Sequence, residues 1–191
     1  MFYTSYFMKQ QGYTIIELIV VIAVVAIFMV IVISNFPKFK LQLSLSRVTY
    51  AFEQNVRRAQ DMALSQVQYR DSGGNLQEVS GYGVYVDIGS LGNKKYIIYA
   101  DRAPGNQQYD ALDYLVDTID FSSNEPGVII KQINNVVSNK VIVNFNSSDL
   151  NITITQLNPS QSDVVIVFAL EGDATKTKTV LVNTSGLVEV K

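Results

Sequence analysis

The sequence predicts an α+β protein in which one long N-terminal hydrophobic helix packs against antiparallel β-sheet. An unbroken apolar run, Leu18 to Ile33, is too long for a strand and contains no turn residue. On the C-terminal side of this run, apolar residues recur at three- and four-residue steps, which is typical of an amphipathic helix. After residues 72–74, Ser-Gly-Gly, the apolar period changes to two, which is typical of strands.

The apolar half of the helix is long enough to cross a membrane. A helix from Tyr13 to Ile33 spans roughly 30 Å, the thickness of a bilayer core. Each Leu, Ile or Val contributes about −0.3 to −0.6 kcal/mol to insertion, whereas an acidic residue at mid-membrane costs about 3 kcal/mol. The sixteen residues of the run therefore outweigh Glu17, which lies at its end. An ordinary signal peptide is not expected, because the run is too long and no small-residue cleavage site follows Ile33.

Residues 12–18, Gly-Tyr-Thr-Ile-Ile-Glu-Leu, resemble the class III signal of type IV prepilins and type II secretion pseudopilins. In that family a prepilin peptidase cuts after the glycine, on the cytoplasmic side, and methylates the new terminus. The resemblance implies cleavage between Gly12 and Tyr13, N-methylation of Tyr13 and an assembly role for Glu17. Two positions depart from the common pattern, since Tyr13 stands where phenylalanine is commoner and Gln11 precedes the glycine.

The carboxylate of Glu17 needs a partner, because an unpaired charge inside an apolar segment is expensive. Cleavage after Gly12 would expose an α-amino group that is largely protonated near neutral pH. This amine would lie one helical turn from Glu17, so the chain's own amine or a neighbour's amine could neutralise the carboxylate. Parallel helices staggered by about one turn would pair every glutamate with the next terminus. The alternative is a glutamate at the end of a plain signal anchor, with its carboxylate reaching the membrane surface.

Composition excludes several kinds of chemistry. The 191-residue chain contains no cysteine and no histidine, so it forms no disulfide and has no Ser-His, Cys-His or histidine-metal site. Its formal charge of −2 excludes a generally basic nucleic-acid binder. An anchored hydrolase with two carboxylates stays formally open, but no spacing points to one. We therefore expect neither an enzyme nor a cofactor.

The amphipathic half of the helix is expected to run to about Gln68 and to pack under the sheet, with a bend at Pro37. Its apolar stripe consists of Val48, Phe52, Val56, Ala59 and Ala63. The predicted strands are residues 81–87, 95–100, 128–131, 140–145, 151–155, 164–169, 179–182 and 187–190. The predicted regions are a leader at 1–12, a transmembrane or fibre-core helix at 13–33, its amphipathic continuation at 34–70 and a β-rich domain at 71–191.

The order of strand motifs is similar to that of GspH/FimT-type minor pilins. The motifs are the strand at residues 82–87, the strand at 96–101, a glycine-containing stretch that ends at Tyr109-Asp110, and a closing hairpin at 179–190. This resemblance implies a pilin-like fold and a single-pass inner-membrane protein whose globular domain is periplasmic or extracellular, later part of a pilus or pseudopilus. The implied partners are other pilin or pseudopilin subunits, prepilin peptidase, the inner-membrane assembly platform and, before assembly, membrane lipid.

A group of polar residues follows the second of these strands. Asp101, Asn106 and Asp110, with Asp113 and Asp117 nearby, are candidate calcium ligands, since calcium favours clustered oxygen atoms. The spacing of an EF-hand is absent, so a polar loop without metal is the favoured interpretation.

Three lysines near the C-terminus are candidate DNA contacts: Lys176, Lys178 and Lys191. We expect no nucleic-acid binding, because the body is acidic and lysines on an exposed strand edge also resist aggregation. Two alternatives to an assembling minor pilin are left open. One is a FimT-like minor pilin for DNA uptake, and the other is a signal-anchored β-domain that binds a ligand without assembly.

Overall fold

The computed structural model of the protein describes residues 12–149 and 151–191, without the side chains of Ser34 and Asn35. The predicted leader therefore lies outside the described residues, except for Gly12. The chain divides into two compact units, Met1–Lys40 and Leu41–Lys191. One helix, α1, runs from Ile15 to Leu64 and contains Pro37. The bend at this proline stays a prediction.

The first part of α1, Ile15–Ile33, is long and apolar enough to cross a membrane. Its mean hydropathy is 3.4 and none of it is buried within the protein. Large side chains such as Phe28 and Ile33 are more than half exposed. Exposure of so much apolar surface is unfavourable in water, and a lipid bilayer is one surrounding that would remove this cost.

The second part of α1 buries the predicted apolar stripe. All five predicted stripe residues are at most 5% exposed, and Leu45 extends the stripe by one turn. The helix ends at Leu64, short of the predicted end at Gln68. Gln66 adopts a positive φ of 48°, and its N–H donates to the carbonyl of Ala63, which closes the last turn as a left-handed cap.

Two antiparallel sheets and one short hairpin make up the rest of the Leu41–Lys191 unit. The strands are β1 Tyr69–Arg70, β2 Leu76–Gln77, β3 Val79–Asp87, β4 Lys95–Arg102, β5 Tyr114–Asp120, β6 Val128–Asn134, β7 Lys140–Asn146, β8 Ile152–Thr155, β9 Asp163–Leu170, β10 Asp173–Asn183 and β11 Val188–Val190. The five-stranded sheet has the order β5-β4-β3-β7-β8 and the four-stranded sheet the order β11-β10-β9-β6. β1 pairs with β2, and every paired neighbour is antiparallel.

One core joins the helix to both sheets. The ring of Phe52 lies 4.9 Å from that of Tyr96 in β4 and 5.4 Å from that of Phe168 in β9. The amphipathic half of α1 therefore packs against both sheets, which confirms the predicted α+β class with a long N-terminal helix.

The other face of the five-stranded sheet carries a second, smaller apolar cluster around Ile97 and Tyr99. Tyr109, from the segment between β4 and β5, covers this cluster. Its ring lies 4.9 Å from that of Tyr85 and 5.2 Å from that of Tyr99. The segment at residues 103–113 is thereby held against the sheet.

Each predicted strand coincides with or overlaps an observed strand, and Asn183–Gly186 forms the predicted closing turn, with Gly186 at a φ of 90°. Strands β1, β2 and β5 were not predicted. Asp117, which the sequence places in or near a loop, lies in β5. β5 is the edge strand of the five-stranded sheet. The half-exposed carboxylate of Asp117 lies 3.9 Å from the guanidinium of Arg58 on α1.

Candidate processing and assembly site

The residues that begin the apolar helix form a capping box. Thr14 precedes the helix, and its N–H donates to Oε2 of Glu17 over 2.9 Å, while its hydroxyl donates to the same oxygen over 3.1 Å. In return, the Glu17 N–H donates to Oγ1 of Thr14 over 3.3 Å. This reciprocal arrangement satisfies amide groups that have no partner inside the helix. It places the helix start at Ile15.

The capping box was not predicted, although its signal is present in the sequence. A threonine followed three residues later by a glutamate, directly before an apolar run, is the pattern of a helix N-terminus. From the sequence, Glu17 was expected to pair with an amine or, in a plain signal anchor, to reach the membrane surface. The structure adds that Glu17 already accepts hydrogen bonds from Thr14 within its own chain.

The bond between Gly12 and Tyr13 precedes the helix. Both residues are non-helical and exposed, and Tyr13 is 92% exposed. A Cβ atom added at Gly12 would meet no described atom within 4 Å. Packing against the described residues therefore does not require glycine at this position.

Glu17 is the single charged side chain in a long apolar stretch. The nearest charged side chains along the sequence are Lys9 and Lys38. Its helix neighbours Ile16 and Leu18 are 70% and 58% exposed. A second helix that packed beside this surface would meet apolar side chains everywhere except at the glutamate.

The structure brings the predicted calcium candidates together, but they bind the chain's own loop. The buried carboxylate of Asp101 accepts hydrogen bonds from the N–H groups of Asn106, over 3.3 Å, and Gln107, over 2.8 Å. The amide of Asn106 donates to Asp110 over 2.8 Å, and the N–H of Asp110 donates to Asp113 over 2.8 Å. Across the described residues, no group of three or more Asp, Glu, His or Cys side chains is placed to hold a metal ion.

Burial raises the pKa of Asp101 and of Asp113 above the usual range of an aspartate. Repulsion from the Asp113 carboxylate adds to the rise at Asp101, while the N–H donors to each carboxylate oppose it. These hydrogen bonds hold the segment 103–113 against strand β4.

The three lysines that were candidate DNA contacts differ in their surroundings. The ammonium group of Lys178 lies 5.1 Å from the centre of the Tyr50 ring, and that of Lys191 lies 3.5 Å from the Glu189 carboxylate. Lys176 is exposed. Two of the three cations are therefore engaged within the protein.

Comparison with known proteins gives one match. The family model described as the prokaryotic N-terminal methylation motif matches residues 7–33. No curated protein and no solved structure matches the chain significantly. The matched segment contains the Gly12–Tyr13 bond, the capping box and the whole apolar part of α1.

Proposed function

The chain carries a type IV prepilin-like signal at residues 7–33, and we propose that it is the precursor of a minor pilin or pseudopilin. One observation carries the proposal: the methylation motif continues directly into an exposed apolar helix that is long enough to cross a membrane. Prepilin peptidase would cleave between Gly12 and Tyr13 and methylate the amine of Tyr13. The product would be a subunit of a type IV pilus or a type II secretion pseudopilus, of the GspH/FimT-like branch.

Before assembly, the helix Ile15–Ile33 would lie in the inner membrane and contact lipid. The Leu41–Lys191 unit would lie on the periplasmic or outer side. A membrane assembly platform would then lift the subunit into a fibre, where other subunits replace lipid around the apolar helix. Burial of apolar surface is kept throughout, so the transfer costs little hydrophobic free energy.

Glu17 would select and register the neighbouring subunit. In the isolated chain, its carboxylate is satisfied by the N–H and hydroxyl of Thr14. In a fibre, the methylated and protonated amine of a neighbouring Tyr13 would approach the same carboxylate. The amine would bring the positive charge that the Thr14 groups lack, so this pairing would favour helices staggered by about one turn.

The role proposed for the β-rich unit is assembly and display, without catalysis. DNA uptake is not the preferred role, because the chain has a formal net charge of −2 and only three candidate lysines near its C-terminus. The competing function is that of a signal-anchored binding module that keeps its N-terminus and never enters a fibre.

Intact-mass measurement and N-terminal sequencing of the membrane-extracted protein test the proposal, in cells with an active prepilin peptidase. We expect the wild-type chain to begin at methylated Tyr13 and Gly12→Ala to keep residues 1–12. Gly172→Ala is the matched control, because a Cβ at Gly172 also meets no described atom within 4 Å. It should be processed like the wild type. A wild-type chain that keeps residues 1–12 would contradict the proposal and favour the anchored module.

A further inference from the structure

The end of the Leu41–Lys191 unit where Leu41 lies is built from the loop before β6 and the turn between β9 and β10. A Cβ atom placed on Gly127 would lie 2.7 Å from Cδ2 of Leu41, so this loop contacts the first residue of the unit. The carbonyl of Gly127 accepts from the N–H of Glu171 over 2.9 Å, which joins the loop to the β9–β10 turn. The start of β10 therefore lies at the same end of the unit as Leu41.

Three lysines, which we call the basic cluster, lie together beside the start of β10. The ammonium group of Lys131 in β6 donates to the carbonyl of Ala174 over 3.2 Å. Lys176 and Lys178 follow in β10, and the ammonium group of Lys178 lies 5.1 Å from the centre of the Tyr50 ring. None of the three ammonium groups forms an ion pair with a carboxylate among the described residues.

The carboxylates near the basic cluster leave most of its charge uncompensated. Glu125, in the loop before β6, forms an ion pair of 2.8 Å with Arg47. Glu171, in the β9–β10 turn, forms one of 2.7 Å with Lys94. Asp173 is the remaining carboxylate beside this turn, so three lysines are opposed by one aspartate. The whole chain carries a formal charge of −2, so this positive excess is local and does not follow from composition.

The apolar helix tethers the basic cluster close to any membrane that it crosses. Leu41 follows Ile33, the end of the candidate span, by eight residues. Even a fully extended segment of this length reaches no more than about 28 Å. Tethering of this kind gives millimolar effective concentrations, so a contact that is too weak between separate molecules forms readily here.

We propose that the basic cluster binds the phosphate groups of anionic lipid headgroups on the membrane that α1 enters. An ammonium group is a compact point charge and binds an exposed phosphate without a shaped pocket. Each lysine near an anionic surface strengthens such a contact roughly fivefold, and salt weakens it because the charges are exposed. The proposal rests on membrane insertion of Ile15–Ile33, which belongs to the proposed function, and does not depend on processing at Gly12.

The test uses the full chain in lipid nanodiscs, with one introduced cysteine that carries a nitroxide. The chain has no cysteine and no histidine, so the label has a single position and a nickel chelate on the lipid headgroups does not attach to the protein. Headgroup nickel speeds the relaxation of nearby nitroxides. Thr177→Cys places the label in the exposed part of β10. Gln161→Cys is the control position, because it precedes β9, at the other end of that strand from the β9–β10 turn.

We expect nickel to relax the Thr177→Cys label at least about twofold faster in discs that contain phosphatidylglycerol than in discs of phosphatidylcholine alone. Salt at about 0.5 M should remove the difference, because it shortens the screening length to roughly 4 Å. The Gln161→Cys label should relax slowly in both lipids. Equal relaxation of the Thr177→Cys label in the two lipids, or equally fast relaxation at Gln161→Cys, would overturn the proposal.

Lys176→Gln combined with Lys178→Gln is the decisive variant, and Arg70→Gln combined with Arg102→Gln is its control. The control removes the same charge from two exposed arginines, in β1 and at the end of β4. The lysine variant should relax in anionic discs as slowly as in neutral ones, whereas the arginine variant should behave like the wild type. Equal effects would overturn the proposal. Glycerol phosphate that abolishes the effect, when sodium chloride of the same ionic strength does not, would overturn the assignment to lipid in favour of a free phosphate.

A nitroxide at Phe28→Cys separates failure of this proposal from failure of membrane insertion. Phe28 lies within the apolar part of α1, so oxygen, which concentrates in lipid, should relax this label strongly in both kinds of disc. A Phe28→Cys label in water would overturn membrane insertion and this proposal together. A label in lipid, with equal relaxation of Thr177→Cys in the two lipids, would overturn the headgroup contact alone.

Discussion

Thr14 and Glu17 determine where the apolar helix begins, and the same carboxylate is the one that the proposed fibre contact uses. Their three mutual hydrogen bonds leave the Glu17 charge partly satisfied before any neighbour arrives. In the proposed function, these hydrogen bonds would lower part of the cost of placing the carboxylate in lipid, and a neighbour's amine would supply the neutralising charge. One side chain therefore serves helix formation in the single chain and, in the proposed function, recognition between chains.

Thr14→Ala should loosen the start of α1. The substitution removes the hydroxyl that accepts from the Glu17 N–H and donates to the Glu17 carboxylate. Loss of an N-cap costs about 0.5–2 kcal/mol, which corresponds to roughly two- to thirtyfold faster hydrogen exchange of the Glu17 amide. Thr14→Ser keeps the hydroxyl and should exchange like the wild type. Equal exchange rates in the alanine and serine variants would show that the cap has no effect.

Two aspartates should make opposite contributions to the pH dependence of stability. Burial raises the pKa of Asp101 in the folded protein, so the folded state binds its proton more readily and stability rises as the pH falls through that raised pKa. Hydrogen bonds from Ser122 and Lys95 lower the pKa of Asp120 to about 2, so its contribution is present above the ordinary aspartate pKa and is lost as the pH falls towards 2.

Urea unfolding at a series of pH values measures both effects as differences from the wild type. For Asp101→Asn, the wild type should gain stability relative to the variant on acidification from neutral pH. For Asp120→Asn, the wild-type advantage should disappear as the pH falls below about 4. The same sign of change for both variants would contradict the assigned causes.

At the scale of elements, α1 and the larger strands follow from the sequence because their patterns are long and regular. The stripe at Val48–Ala63 and the strands with alternating apolar residues are examples. β5 has no such pattern, since Asp117 and Asp120 interrupt it, and it exists because β4 offers an edge. The end of α1 depends on the left-handed turn at Gln66. Glutamine does not favour this conformation as glycine or asparagine does, so the sequence gives no signal for the end of the helix.

The functional features likewise divide into those that a local sequence motif identifies and those that depend on tertiary contacts. The Gly12–Tyr13 bond and Glu17 form a local motif, so the sequence alone identifies them. By contrast, a polar cavity beside the end of α1 is lined by four segments, residues 66–68, 78–80, 103 and 146–148, and it depends on tertiary contacts that the apolar periodicity of the sequence does not reveal. Residue spacing likewise did not reveal that the Asp101 carboxylate binds its own loop.

Phe52→Ala should destabilise the β-rich unit more than any surface change on the same helix. The fully buried ring lies between Tyr96 and Phe168, so its removal leaves a cavity between the helix and both sheets. We expect a loss of about 3–5 kcal/mol in the free energy of unfolding, measured by urea denaturation. Gln54→Ala, on the exposed side, should change it by no more than about 0.5 kcal/mol. A loss below about 1 kcal/mol for Phe52→Ala would contradict the shared core.

At the scale of the whole molecule, the sequence separates an apolar helix suited to lipid from a folded unit with its own core. In the proposed function, the helix is the part that assembles and the β-rich unit is the part displayed. In that function, Glu17 would supply the one polar contact in an otherwise apolar segment and so select a register among similar hydrophobic surfaces.

The measurement that tests this account most directly is the amount of chain in sheared fibres and in membranes, for the wild type and for Glu17→Gln. The wild type should appear in both fractions. Glu17→Gln should be cleaved after Gly12 and stay in the membrane, because its neutral side chain no longer pairs with a neighbour's amine. Glu189→Gln, which keeps the N-terminal site, should behave like the wild type. Equal entry of Glu17→Gln into fibres, or a wild-type chain that never leaves the membrane, would contradict the account.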